Sequence, residues 1–409
     1  MSNTTSDKAI RTTTSGSLPR TDALIAANAA RTLADDGFTL QKTPEFDRLV
    51  AEAVADVVAR QREAGITLLG DGEFGKAMSN AVDYGAWWSY SFQRVSGLEL
   101  ADGDLFTQPD AVSTPGNLRL TSFPNRRDRQ LFPRVYSDPV DVGGVSTGSI
   151  ATAFPSTTGR LAYTGHDAVA TDIRNLKAAL RPGEQGFLTA ISPGSAARVG
   201  NQYYATDEEH IWAWADALRE EYRAITDAGL VVQIDDPSLA ENWDQITPEP
   251  SVADYQQFTQ LRIDALNHAI EGLPTELVRL HLCWGSWHGP HTTDIGIADI
   301  LPVVLNARVG SLSFEAGNVR HEHEWVVWRD VAVPDGLVLV PGVVSHATNV
   351  VEHPDLVAQR IRRFTDAVGA DRVIASTDCG LGGRVHADVA WAKLGSLGEG
   401  ARRAIASAS

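Results

Sequence analysis

Apolar and polar positions follow two alternating patterns along the chain. Short strand-like runs, most of them rich in Val, Ile and Leu, recur at 10–17, 66–72, 186–192, 230–235, 277–283, 310–315, 337–343 and 372–378. Between and after them lie longer stretches with apolar residues every three or four positions: 46–65, 168–180, 207–229, 255–273, 297–308, 322–330, 353–369 and 386–408. An apolar run of strand length predicts a strand buried on both faces, and the three-to-four spacing predicts a helix with one buried face. In 46–65, for example, Leu49, Val50, Ala53, Val54, Val57 and Val58 share a face, and Gly65 stands where a C-terminal cap belongs.

Strand–helix repeated eight times predicts an α/β fold, a single (β/α)8 TIM barrel spanning residues 1–409. A doubly wound open sheet is the alternative. Residues 85–167 break the alternation with "YGAWWSYSFQRV" and "LRLTSFPNRRDRQLFPRVYSD". They predict an insertion after the second strand, with a β-hairpin around "PNRRD", leaving from the C-terminal face where it could cover a site.

Composition narrows the class of partner. The 409 residues carry 35 Lys and Arg against 52 Asp and Glu, a net charge of −17. Phosphate backbones and anionic membranes need clustered cations, so neither nucleic acid nor a membrane is an expected partner. No apolar run reaches the roughly 18–20 residues of a spanning helix. The polar N-terminus shows no secretory signal, so the expected compartment is the cytoplasm, with the two cysteines reduced. Small molecules are the expected ligands, and the oligomeric state is left open.

The chemistry collects where barrel strands should end. In order these ends carry Ser17, Asp71 and Glu73, Asp235 and Asp236, His281 and Cys283, Glu315, His346, and Cys379. The C-terminal strand ends of a barrel form one rim, so these residues should converge. His281 and Cys283 are two apart on a strand and share a face. With Glu315 and Cys379 they make one imidazole, two thiols and one carboxylate, a set suited to Zn2+. The plainer reading is a buried histidine beside two inert cysteines, since such residues are common in cores.

Seven of the eleven histidines fall between 281 and 353, so His288, His291, His321, His323 and His353 are rival ligands. His321 and His323 read better as polar residues at a helix start or as partners of ligands. Asp235, before Asp236-Pro237, could hold a substrate ammonium or simply belong to a solvated turn, and Glu73 invites the same two readings. Trp87, Trp88, Trp284 and Trp287 could line a pocket, although packing is the commoner role. No GxxxxGK[ST] phosphate loop is present.

These residues resemble a known family, the catalytic C-terminal domain of cobalamin-independent methionine synthase and its single-barrel relatives. "TTTSGSLPR" is similar to the family's first-strand motif, "GDGE" to its glutamate motif and "QIDDP" to its aspartate motif. "HLC", "SFEAGN" and "DCGLG" resemble its three zinc-ligand motifs. The resemblance implies a zinc-dependent thiol S-alkyltransferase, with methyl transfer to homocysteine or a similar thiol through a zinc-bound thiolate. His281, Cys283, Glu315 and Cys379 would hold the zinc. Ser17, Glu73 and Asp235 would bind the thiol substrate, and His346 would stand near the family's acid. The strings "CWGSWHGPHTTDI", "VRHEHEWVVW" and "VVEHPDLVAQRI" are more similar to the short relatives. These include the epoxyalkane–coenzyme M transferases, in which the electrophile is an epoxide carbon.

Overall fold

The computed structural model describes residues 10–76, 90–100, 111–122, 125–137 and 155–406. Eight parallel strands form the centre: β1 (Arg11–Thr12), β2 (Leu68–Gly70), β3 (Gln185–Ile191), β4 (Val231–Asp235), β5 (Val278–Leu282), β6 (Ser311–Glu315), β7 (Val338–Val344) and β8 (Ile374–Thr377). They are ordered β1-β8-β7-β6-β5-β4-β3-β2. The two ends of that order meet through threonines rather than a full ladder. Thr67 N donates to Thr12 O at 3.1 Å, Thr12 N to Thr67 Oγ1 at 2.9 Å, and Thr13 Oγ1 to Leu68 O at 3.1 Å. The sheet is a (β/α)8 barrel and not a doubly wound open sheet.

Each strand overlaps one of the eight runs, β3 starting and β7 ending one residue outside it, and a helix follows each. They are α1 (Pro44–Glu63), α2 (His166–Ala179), α3 (Asp207–Asp227), α4 (Val252–Ala269), α5 (Ile297–Val304), α6 (Val327–Asp330), α7 (Pro354–Val368) and α8 (Ala387–Ala406). α1 shows why the boundaries fall where they do. The Thr43 side chain accepts from Phe46 N, Pro44 opens the first turn, and Glu45 and Asp47 sit at the positive end of the helix dipole. Arg60 and Arg62 sit at the other end, and Gly65 follows with a φ of 87°. Phe46, Val50, Val54, Val57 and Val58 are buried. Each such side chain contributes roughly 1.5–3 kcal/mol on leaving water, more than any single cap.

Between β2 and α2 the chain departs from the barrel. Val95–Leu100 and Pro155–Tyr163 pair antiparallel. The hairpin expected around "PNRRD" is absent: Arg127–Leu131 is a short helix, followed by a second at Pro133–Ser137. Tertiary contacts favour the helix. Asp128 is fully buried, and its carboxylate accepts from Tyr136 Oη (2.7 Å), Thr292 N (3.0 Å) and His291 N (3.2 Å). The excursion is thereby fixed to the loop after β5, on the rim side of the barrel. Trp87 and Trp88 lie outside the described residues. No described helix is long and apolar enough to cross a membrane.

Close approach at the rim depends on glycine. A Cβ on Gly342 of β7 would lie 2.4 Å from Asp378 Cα, and one on Gly380 would lie 2.6 Å from Ser17 Oγ. Any larger residue would push the end of β8 away from β7 or from the loop after β1.

Candidate metal centre

β5 places His281 and, just beyond its end, Cys283 on one face, both buried. Cys379 follows β8 directly. The His281 ring nitrogen and the two sulfurs lie within 4.8 Å of one another. His281 Nδ1 meets Ser313 Oγ of β6 at 3.1 Å. Ser313 Oγ lies 3.0 Å from Ser15 Oγ, which lies 2.7 Å from Ser376 Oγ of β8. This chain of hydroxyls fixes the ring orientation from β6, β8 and the segment after β1. The other nitrogen, Nε2, is buried without a conventional hydrogen-bond partner.

The two thiols behave as one titrating pair. Cys283 hydrogen-bonds to Cys379, which holds the Cys379 thiol well below the usual thiol range, with His281 assisting. The same bond and burial push Cys283 well above that range. One thiolate is therefore stabilised before any cation arrives, and a cation would stabilise both. A fixed imidazole with a buried Nε2 and two converging thiols fit Zn2+ by donor chemistry.

Glu315 lies beside this trio but is turned to other partners. Its Oε1 accepts from Trp284 N at 3.0 Å and its Oε2 from Asn318 Nδ2 at 2.7 Å. The structure groups it with His346 and Asp378, whose ligand atoms also lie within 4.8 Å of one another. Burial and Asp378 push the Glu315 carboxyl well up. Burial moves Asp378 up to about 7, although Ala316 N and Gly317 N each donate to it at 2.8 Å. Burial pushes His346 down to about 4, so its ring is neutral at neutral pH.

Two of the rival histidines, His321 and His291, are engaged elsewhere. His321 uses Nδ1 on Glu324 (2.9 Å) and Nε2 on Asp294 (3.1 Å), and stacks 4.0 Å from the Trp284 ring. Burial opposes its charge, but the two carboxylates outweigh it and raise the ring to about 10. His291 spends both nitrogens on Asp294 and Trp287 O. His323 and His353 are exposed.

The residues expected to bind substrate lie on neighbouring strand ends and loops. Asp235 stands in register with His281 across the β4–β5 ladder. Gln233 Nε2 donates to it at 2.7 Å, yet burial raises it to about 7. Glu73 sits just past β2 in the left-handed region, φ 62°, and its Oε1 accepts from Thr189 Oγ1 at 3.0 Å. Ser17 lies beside the loop after β8, its carbonyl accepting from Leu381 N (2.8 Å) and Gly382 N (3.0 Å). Asp236 separates from Asp235 in role: its carboxylate accepts from Ser195 and Ser238 and ties the loop after β4 to that after β3.

Three residues of this neighbourhood escape a reading by motif: Asp378, Lys76 and Thr189. The first two stand within or beside the motif strings, in "STDCG" and "GDGEFGK". Thr189 carries no signal beyond its place in a strand.

With this geometry, comparison with known proteins becomes informative. Residues 190–402 match the family described as "Cobalamin-independent synthase, Catalytic domain". The chain belongs to this family. The matched region contains Asp235, His281, Cys283, Glu315, His346 and Cys379; Ser17 and Glu73 fall outside it. A 2-hydroxypropyl-CoM lyase of Xanthobacter autotrophicus is 26% identical over 208 residues, 44% of this chain and 50% of that protein. A methionine synthase of Thermococcus kodakarensis is 25% identical over 185 residues, 44% of this chain and 46% of that one. The chain thus spans about half the length of the curated relatives it matches. The solved B12-independent methionine synthase of Shewanella sp. superposes over 98% of this chain and 99% of its own, with a TM-score of 0.69 at 18% identity. That likeness supports the family's barrel.

Proposed function

We propose that the protein is a zinc-dependent thiol S-alkyltransferase. The observation that carries this reading is the convergence of His281, Cys283 and Cys379 from two strand ends, with Asp235 across the ladder from His281. His281, Cys283 and Cys379 would hold the ion, and Glu315 would complete the set by leaving Trp284 and Asn318. When bound, Zn2+ supplies the positive charge that keeps a substrate thiol deprotonated near neutral pH.

The chain's own residues do the rest. Asp235, Glu73 and Ser17 orient the far end of the thiol substrate. Buried β5 and β8 exclude water from the sulfur, which keeps it nucleophilic. The sulfur forms a bond to the electrophilic carbon, the bond from that carbon to its leaving atom breaks, and the leaving atom takes a proton. His346, neutral in this site, is a weaker donor than its position suggests. With Glu315 on the ion, Asp378, raised to about 7 by burial, would hold the available proton, and His346 lies within reach of it.

Methyl transfer to homocysteine or a similar thiol is the first reading, because Asp235 and Glu73 offer carboxylates to an ammonium. Opening of an epoxide by a coenzyme M-type thiol is the second, favoured by the similarity to the 2-hydroxypropyl-CoM lyase. The test is a thiol panel (homocysteine, coenzyme M, glutathione, cysteine) with a methyl-folate or short epoxides, following thiol loss. Zinc-dependent loss of one thiol supports the reading; no loss with any pair contradicts it.

A further inference from the structure

Glu315 can reach an ion held by His281, Cys283 and Cys379 only by giving up the bonds it makes now, and one side chain supplies the shorter of them. Asn318 closes the "SFEAGN" string three residues past Glu315 and is 6% exposed. Its Nδ2 donates to Glu315 Oε2 at 2.7 Å and to Asp378 Oδ2 at 3.2 Å. The amide therefore stands between the carboxyl that ends β6 and the one that follows β8.

The amide is held in that orientation. Its Oδ1 accepts from Arg320 N at 2.9 Å and from His321 N at 3.0 Å. Turned over, it would set an oxygen against two carboxyl groups and an NH2 group against two backbone donors. The turn that carries it is fixed as well. Glu322 N donates to Asn318 O at 2.9 Å, and the His321 ring is tied to Asp294 and Glu324.

Satisfying buried carboxyls is the plain role of such an amide. The two carboxyls depend on it unequally. Asp378 also accepts from two backbone groups, Ala316 N and Gly317 N, both at 2.8 Å. Glu315 has one backbone donor, Trp284 N at 3.0 Å, and among the described residues Asn318 is its only side-chain donor. Held in this way, Glu315 is outside the trio formed by His281, Cys283 and Cys379.

We propose that Asn318 is a positioning residue that holds Glu315 off the metal and so sets how tightly the site keeps its ion. This rests on the zinc reading of the site. The argument is one of linkage. A bond that Glu315 makes only in the metal-free arrangement must be given up when its carboxylate becomes a ligand, so that bond lowers metal affinity by its own strength. The bond is charge-assisted and buried, the setting in which such bonds are strongest. A fourth donor with a second home also leaves a coordination position that a substrate can take, as a catalytic site requires. Loss of Asn318 should therefore tighten zinc binding, the reverse of what loss of a merely structural residue does.

The experiment is chelator-competition titration of Zn2+ with the full chain as wild type, Asn318→Ser, Glu315→Gln and the double variant. Serine keeps an oxygen for Arg320 N and His321 N but lacks the amide nitrogen that holds Glu315. Asn318→Ser is expected to bind Zn2+ roughly ten- to a hundredfold more tightly than the wild type. In the Glu315→Gln background the same substitution is expected to leave affinity unchanged, because the carboxylate it would release is gone. Unchanged or weakened binding by Asn318→Ser overturns the proposal, and so does an equal gain in the Glu315→Gln background. If circular dichroism shows that Asn318→Ser does not fold, Asn318→Ala is titrated in its place. Failure of both to fold overturns the proposal by making Asn318 a structural residue. Failure of the wild type to bind Zn2+ at all would contradict the proposed function itself, a result distinct from an unchanged affinity.

Discussion

The sulfur of Cys283, just past β5, lies within 4.8 Å of the sulfur of Cys379, just past β8, with β6 and β7 between their strands. Both cysteines are free. Only closure of the barrel brings them together, and His281 meets them there. Two unpaired thiols facing an imidazole whose other nitrogen is anchored form a donor set for a soft or borderline cation.

The anchor itself is testable. Ser313 Oγ holds His281 Nδ1 and is linked through Ser15 to Ser376. Removing a partner of a ligating histidine typically lowers metal affinity by about 10–100-fold. Ser313→Ala should therefore weaken zinc binding by roughly tenfold or more, measured by competition with a chelator, while the circular dichroism spectrum is retained. Unaltered affinity would remove the hydroxyl chain from the account.

Asp235 separates thiol binding from metal binding. Asp235→Asn keeps the size and the Gln233 contact but loses the charge. If the thiol carries an ammonium, its binding should weaken by roughly 1.5–3 kcal/mol, with zinc content unchanged. If affinity for every active thiol survives both Asp235→Asn and Glu73→Gln, the substrate has no ammonium, and a sulfonate thiol becomes the better candidate.

Asp71 gives a pH signature independent of the metal. Burial, with the nearby Asp172 charge, raises its carboxyl to about 7. A carboxyl with a raised folded pKa binds its proton more tightly folded than unfolded. Its contribution is fully present below the unfolded value near 4 and is lost as pH rises through about 7. The stability of the wild type relative to Asp71→Asn should therefore fall across that window, by up to about 4 kcal/mol. Denaturant unfolding at pH 4, 5.5 and 7.5 measures it. His210 and His346, both lowered to about 4, act in the opposite direction but are common to both proteins and cancel in the difference. A difference that is flat, or that rises with pH, contradicts the assignment.

Much of the barrel and its rim is legible in the chain. Apolar runs of strand length locate all eight strands, because parallel barrel strands are buried on both faces and leave no polar alternation to confuse the pattern. The i, i+2 rule places His281 and Cys283 together, and strand-end logic adds Cys379. Less legible is the direction of Glu315, which depends on whether Trp284 N or the thiols hold its carboxylate. Position along a strand does not encode that choice. The "PNRRD" turn fails for a related reason: Asp128 is drawn into a helix by partners such as His291 and Thr292, far away in sequence. Lys76 gives no signal because a lysine in a loop is ordinarily solvated, and only packing against Thr189 and Tyr90 makes it a buried charge.

The central claim is that this barrel uses His281, Cys283 and Cys379 as a working metal centre, and Cys379→Ser tests it most directly. The substitution exchanges a soft thiolate for a neutral hydroxyl at the end of β8, while the barrel core is left intact. Zinc content, circular dichroism and thiol alkylation are measured on one preparation, beside wild type purified without added metal. The account predicts about one zinc per wild-type chain and a Cys379→Ser protein that is folded, poor in zinc and inactive. Normal zinc with normal turnover in Cys379→Ser would contradict it, and so would global unfolding, which would make the metal a structural one.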